Sequence, residues 1–362
     1  MSRRPCIVLG ASGLVGQRLQ QRLINHPFFE LKAVSGSKQT AGKRLDEVEW
    51  RLEQERPNLP NLEVLDLNAE DFLSSLDSLG IKVAFSALPD DIAAIIEAKL
   101  AKSGIIVFSN SNAYRRTPGV PLVIPEINQH HLSQHEKNIF CATNCTLIPV
   151  AIPLSAICQE LKVSHIQMRS RQALSGAGWR LLFDQEALNG NHDKSIPGEA
   201  EKTTAELLHI FNQAGNQNVA NSSFTTDFQC QRVSRKDGHL VVVEVIIEGT
   251  TTVEEIIEIV NNFNQSNFDS SPSSPKKPIH LVDRIDTERH LWSDGENFSI
   301  NPNPTDDLKT GMSIVLGDLE VFYNNTIRFS AYSHNTIRGA AGGVILLAEI
   351  AVMKSLFCIF RR

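Results

Sequence analysis

Cys6-Ile7-Val8-Leu9-Gly10-Ala11-Ser12-Gly13-Leu14-Val15-Gly16 decides the fold. An unbroken apolar run of this length is what a strand buried on both faces shows. A glycine turn follows, after which Val15, Leu19, Leu23 and Ile24 recur on one face of a helix. Strand, glycine turn and helix together form the setting in which a dinucleotide pyrophosphate is held. Glycine lets the main chain approach the phosphates, and the helix N-terminus offers N–H donors and positive potential. The spacing here is GxxGxxG rather than GxGxxG.

Outward from this unit the same alternation continues. Leu31-Lys32-Ala33-Val34 reads as the second strand, and Ser35-Gly36-Ser37-Lys38 follows it. A site for NAD usually places an acidic residue here, on the ribose 2′-hydroxyl. Hydroxyls and Lys38 suit a 2′-phosphate instead, so the loop predicts NADP. Ile81 to Pro89 is a further strand with a tight end, Asp91 to Lys102 a helix, and Ile105 to Phe108 another strand. The expectation is an α/β fold: a Rossmann-type doubly wound parallel sheet over residues 1–147, with ligands at the carboxyl ends of its strands. Asn110 and Arg115 follow one such end, and an arginine there can hold an anion through paired hydrogen bonds.

After Pro149 the pattern changes. Val163 to Gln172, Thr225 to Val233 and His239 to Ile247 are rich in β-branched residues and predict a partly antiparallel sheet. Helices are expected at Trp179 to Leu188, Glu199 to Phe211 and Thr252 to Phe263, giving an α+β second domain over 148–335. Residues 336–362 read as a long apolar helix from Thr336 to Phe360. It opens on Gly339-Ala340-Ala341-Gly342-Gly343 and packs back on the first domain. Arg338, Glu349 and Lys354 argue against a membrane anchor.

The 362 residues carry 41% hydrophobic and 21% charged side chains with a net charge of -6. That is a globular composition without the basic field of a nucleic-acid binder. No apolar run approaches a membrane span. Six scattered cysteines without framework or CxxC spacing predict reduced thiols, a cytoplasmic setting and no metal.

One cysteine stands apart. Phe140-Cys141-Ala142-Thr143-Asn144-Cys145-Thr146 runs from an apolar strand into a turn ahead of a helix. Cys145 there is a candidate nucleophile, its thiolate favoured by the helix dipole, with Asn144 and nearby N–H groups as oxyanion donors. A buried inert thiol is the alternative. Three further stretches carry polar residues that suit the same chemistry. Gln172 precedes a glycine-rich turn through Ser175 and Gly176, Glu199 and Lys202 share a helix face, and Arg232 precedes His239 at a strand start. With a dinucleotide domain, they suggest a thiolate attacking an acyl carbon, an imidazole moving protons and a nicotinamide moving a hydride.

The ordered set GASGLVG, SALP, SNSNAYR, NCT, QALSGAG, ExxK, RVxxxxGH and HNTIRGAAG resembles the aspartate-semialdehyde dehydrogenase family, in its archaeal and fungal branch. The resemblance implies NADPH-dependent reduction of aspartyl 4-phosphate to the semialdehyde, on the path to lysine, methionine and threonine. It implies Cys145 as nucleophile, His239 as acid/base and Gln172 as a positioning group. Arg232 would bind the substrate carboxylate and Glu199 its amine, while Arg115 and Lys202 would bind phosphate. Asn110, Asn144, Ser175 and Gly176 would complete the substrate site. NADP would lie on Gly10, Ser12, Gly13, Leu14, Val15, Gly16, Ser35, Ser37, Lys38, Ser86, Ala87, Leu88 and Asn335. A protonated His239 beside Cys145 would lower the thiol pKa. The family also implies a homodimer or homotetramer. A malonyl-CoA reductase of the same fold and a catalytically silent binding homologue are the competing readings. The second would be expected to have lost Cys145 or His239.

Overall fold

The computed structural model describes residues 3–212, 224–266, 270–323 and 325–356. Its first sheet contains β1 (Arg4–Leu9), β2 (Phe29–Gly36), β3 (Val64–Asp66), β4 (Val83–Ser86), β5 (Ile106–Ser109) and β6 (Ile139–Cys141), in the order β3-β2-β1-β4-β5-β6. Every pairing is parallel. The order reverses direction beside β1, and that is where a doubly wound sheet opens its ligand crevice.

Both faces of β1 are buried, which is why its sequence does not alternate. Cys6 and Val8 enter one apolar cluster, Ile7 and Leu9 another. On the Cys6 side Phe29, Phe85, Phe108 and Phe140 form a run of rings across β2, β4, β5 and β6. Successive centroids lie 5.2, 5.9 and 5.4 Å apart. Helix Gly342–Met353 packs on this side of the sheet.

The second sheet contains β7 (Val163–Gln172), β8 (Thr225–Arg232), β9 (His239–Ile247), β10 (Ile279–Leu281), β11 (Ile314–Phe322) and β12 (Thr326–Ser333), in the order β10-β11-β12-β9-β7-β8. It is mixed: β10 and β11 are parallel, as are β7 and β8, while the central pairings are antiparallel. Helices Ile148–Glu160 and Val253–Ser266 cover the face that carries Val241, Val243 and Val245. The other face presents Leu240, Val242 and Ile246, each half-buried, with Arg169, Arg171 and Arg328 exposed among them.

Two expected helices differ. Trp179 to Leu188 is two single turns, Trp179–Leu182 and Gln185–Leu188, because the Asp184 carboxylate accepts the Glu186 and Ala187 N–H groups and starts the second turn afresh. The C-terminal helix begins as a wide π-turn over Ile337–Ala341, and its α-helical part is Gly342–Met353. It ends at Met353, short of the expected Phe360, where the chain turns out of the helix through Lys354 and Ser355, the latter at φ +57°. No helix among the described residues is long and apolar enough to cross a membrane.

The phenylalanine run yields a stability test. Phe108 is fully buried between Phe85 and Phe140. Phe108→Ala should lower the unfolding free energy by about 3–5 kcal/mol, measured by urea titration. A loss below about 1 kcal/mol would mean that the rings do not hold the sheet.

Candidate active site

β6 ends at Cys141, and the chain turns through Ala142 to Leu147 before helix Ile148–Glu160 begins. Cys145 lies on that turn, partly exposed among buried neighbours. Its sulfur is 3.3 Å from His239 Nε2, the first residue of β9. The other ring nitrogen, Nδ1, accepts the Ala173 N–H at 3.1 Å. Nδ1 being an acceptor, the neutral ring carries its proton on Nε2, facing sulfur. A half-turn of the ring would lose both contacts.

The expected low thiol pKa is not found. Burial pushes Cys145 up to about 11, helped by the nearby Glu199 carboxylate, while Arg115, Arg232 and Lys202 pull the other way. Burial, with Arg232 next, pushes His239 down to about 3. Cys145 also stands on the turn before the helix rather than in its first turn, which weakens the dipole's hold. The resting pair is a neutral thiol beside a neutral imidazole.

A carboxylate organises each side of the turn. Glu199 Oε1 accepts Asn144 Nδ2 at 2.9 Å, Thr146 Oγ1 at 3.3 Å and Gln172 Nε2 at 3.3 Å, and Oε2 pairs with Lys202 Nζ at 2.9 Å. Burial opposes the charge on Glu199, but the bonds from Asn144, Lys202 and Gln172 outweigh it and hold the carboxyl below its ordinary value. Glu206 accepts the Asn144 N–H at 2.7 Å and Arg115 Nη1 at 2.9 Å. Arg115 Nη2 donates to the Asn110 carbonyl at 2.7 Å. Arg232 Nη1 donates to the Ala173 carbonyl at 2.8 Å, so one residue anchors both Arg232 and His239. Gly176 fits against these two: a Cβ on it would stand 3.0 Å from Arg232 Nη1 and 3.2 Å from His239 Nε2. Asn335 Nδ2 donates to Ser175 Oγ, and its Oδ1 accepts the Gly238 N–H, both at 2.8 Å.

Cys145, His239, Gln172, Asn110, Arg115, Asn144, Ser175, Gly176, Glu199, Lys202, Arg232 and Asn335 are thus gathered around one turn. The N–H groups of Asn144, Thr146 and Leu147 are engaged within the protein, and the Asn144 amide gives one of its two hydrogens to Glu199. His239 Nε2 is the donor that faces sulfur.

Two contributors were absent from the sequence reading. Glu206 repeats the helical spacing of Glu199 and Lys202, the signal by which it could have been found. Gly339, expected only to aid packing on the first sheet, lies directly behind the nucleophile. A Cβ there would be 2.6 Å from the Cys145 Cβ, an overlap no side chain tolerates.

Beside this cluster the glycine turn follows β1. Gly10 has φ +81° and its Cα faces the Ala87 carbonyl, and a Cβ on Gly16 would strike the Gly10 carbonyl. The N–H groups of Gly10 and Ala11 donate to the Ser35 carbonyl, so the turn is built on the end of β2. The Ser35 hydroxyl is buried without a hydrogen-bond partner among the described residues, while that of Ser86, at the strand end on the other side of β1, interacts with Glu97. Ser12, Gly13 and Val15 are partly exposed, Leu14 and Leu88 are buried, and Ser37 and Lys38 stand exposed beyond β2. Side-chain-free backbone, a helix N-terminus and an unpaired hydroxyl fit a dinucleotide.

Residues 6–135 match the family model described as the NAD binding domain of semialdehyde dehydrogenase. The chain is 31% identical over 360 residues to an aspartate-semialdehyde dehydrogenase of Archaeoglobus fulgidus, spanning 96% of this chain and 98% of that protein. It is likewise 31% identical over 363 residues to a malonyl CoA reductase (NADP) of Metallosphaera sedula, spanning 96% of each. The crystal structure of aspartate semialdehyde dehydrogenase with NADP from Candida albicans matches with a TM-score of 0.75 at 27% identity, over 98% of this chain and 99% of that one. A match that runs almost end to end, to the archaeal sequence and to the fungal fold alike, makes this chain a member of the aspartate-semialdehyde dehydrogenase family.

Proposed function

We propose that the protein catalyses NADPH-dependent reductive dephosphorylation of L-aspartyl 4-phosphate to L-aspartate 4-semialdehyde, in lysine, methionine and threonine biosynthesis. The observation that carries this reading is the 3.3 Å Cys145–His239 contact ringed by Arg115, Lys202, Arg232 and Glu199. Cys145 attacks the acyl carbon as its thiol proton passes to the departing phosphate, giving a thioacyl-enzyme. His239 Nε2–H stabilises charge on sulfur and then on the acyl oxygen as it becomes tetrahedral. Gln172 positions the substrate site through Glu199. Arg232 pairs with the α-carboxylate, Glu199 with the α-ammonium, and Arg115 and Lys202 with phosphate. Bound NADPH supplies the hydride. Gly10, Ser12, Gly13, Leu14, Val15 and Gly16 would hold its pyrophosphate, Ser35, Ser37 and Lys38 its 2′-phosphate, and Ser86, Ala87, Leu88 and Asn335 its nicotinamide half. A malonyl thioester has no ammonium for Glu199, which favours the aspartyl substrate over the coenzyme A reading.

We further divide the chain at 147/148 and 335/336 into a cofactor domain, a catalytic and dimerisation domain, and a returning helix. As a biosynthetic enzyme with free thiols, it belongs in the cytoplasm. A second copy of the chain is the partner proposed for the uncovered face of the second sheet, where half-buried Leu240, Val242 and Ile246 lie among arginines.

Run in the oxidising direction, the enzyme should reduce NADP with aspartate semialdehyde only when phosphate is present. Cys145→Ala should lower kcat by about 10⁴-fold or more and keep NADP binding, and His239→Gln should lower it by about 10² to 10⁴-fold. Turnover only with malonate semialdehyde and coenzyme A would overturn the substrate assignment. The raised thiol pKa predicts that iodoacetamide alkylates Cys145 faster and faster from about pH 7 to about pH 10, because the thiolate is the reactive form. A plateau already reached below about pH 8 would show a thiolate–imidazolium pair instead. Light scattering should give the mass of two or four chains, and of one chain for Val242→Arg, which sets a charge directly opposite Arg169. A monomeric parent protein would refute the dimer face.

A further inference from the structure

Glu206 is fully buried, yet nothing in the chemistry so far requires it. It lies one turn beyond Lys202 on helix Glu199–Asn212, and its two oxygens serve two different walls of the site. Oε1 accepts Arg115 Nη1 at 2.9 Å, from the loop after β5. Oε2 accepts the main-chain N–H of Asn144 at 2.7 Å, the residue before the nucleophile. Arg115 in turn uses Nη2 on the Asn110 carbonyl, and its Nε is buried without a hydrogen-bond partner among the described residues.

Glu206 and the Asn110 carbonyl hold the guanidinium by its two terminal nitrogens, one bond to each, which fixes its plane as well as its place. Glu206 also opposes the burial that would otherwise weaken the charge on Arg115. A carboxylate is needed for the bridge. Glutamine has one acceptor oxygen, and its amide N–H would face either the guanidinium or the Asn144 N–H, donor against donor.

We propose that Glu206 is a positioning residue that fixes the Arg115 guanidinium and the nucleophile turn in one register, so that the phosphate bound by Arg115 stands at a set distance from Cys145. It touches no substrate itself. The inference rests on the reading of Arg115 as the phosphate ligand and deepens it.

The test varies phosphate in the full-length enzyme, in the oxidising direction with aspartate semialdehyde and NADP saturating. Glu206→Gln should raise the KM for phosphate about tenfold or more, with the KM for NADP unmoved. Glu206→Asp keeps the charge but cannot span both partners, so it should give a smaller rise in the same constant. If Glu206→Gln does not fold, Glu206→Asp alone decides, by whether the phosphate KM moves apart from the NADP KM. Arg115→Lys should raise the phosphate KM by itself, and adding Glu206→Gln to it should raise it little further, because both changes act on one group. A phosphate KM within about twofold of the parent in the Glu206 variants, or independent effects in the double variant, would overturn the proposal. An unmoved phosphate KM in Arg115→Lys would instead sink the phosphate-ligand reading beneath it.

Discussion

The site depends on two carboxylates of one helix reaching across to a single turn of the other sheet. Glu199 holds the Asn144 side chain, and Glu206 holds the same residue's main-chain N–H. Because one bond acts on the side chain and the other on the backbone, Asn144 is fixed in both position and rotation, and Cys145 follows it directly. Neither bond could be replaced by packing. The groups are buried, so each N–H must be paired, and each carboxylate must be held by donors or cations to remain charged there. Lys202 and Arg115 meet that need from opposite sides. The substrate groups assigned to these cations would therefore enter a network already arranged, at small further cost in reorganisation.

Placing the nucleophile between two sheets has an electrostatic cost, and the resting pair shows it. Burial penalises both a thiolate and an imidazolium, so the proton stays on sulfur. The three cations nearby offset the penalty on the thiolate only in part. An anionic substrate that paired with those cations would cancel part of their pull on the thiol, leaving the His239 Nε2–H contact as the remaining support for charge on sulfur.

Much of the architecture was legible in the chain, for identifiable reasons. β1 and the glycine turn announce themselves because a strand buried on both faces cannot hide its composition. β7 and β9 were readable to their ends because both are long, and His239–Ile247 is rich in β-branched residues. By contrast β3 and β10 contain three residues each, too few for a periodic signal. β11 is interrupted between Gly317 and Glu320, where Asp318 takes φ 52°, so its alternation breaks. The break in Trp179–Leu188 was written in Asp184, a helix-starting residue in mid-helix. Within the site, motif residues were found because their types are chemically unusual. Glu206 was passed over because a glutamate on an amphipathic helix resembles a solvated charge until its neighbours are known, and the thiol's pKa was misjudged because burial is not a local property of sequence.

Gly339 carries a consequence of another kind. Main chain at this position lies so close to the Cys145 Cα and Cβ that any side chain here would displace the nucleophile turn. The distance of closest approach between the π-turn of residues 337–341 and the cysteine is thus set by a missing methyl group, in a segment that holds none of the reacting atoms.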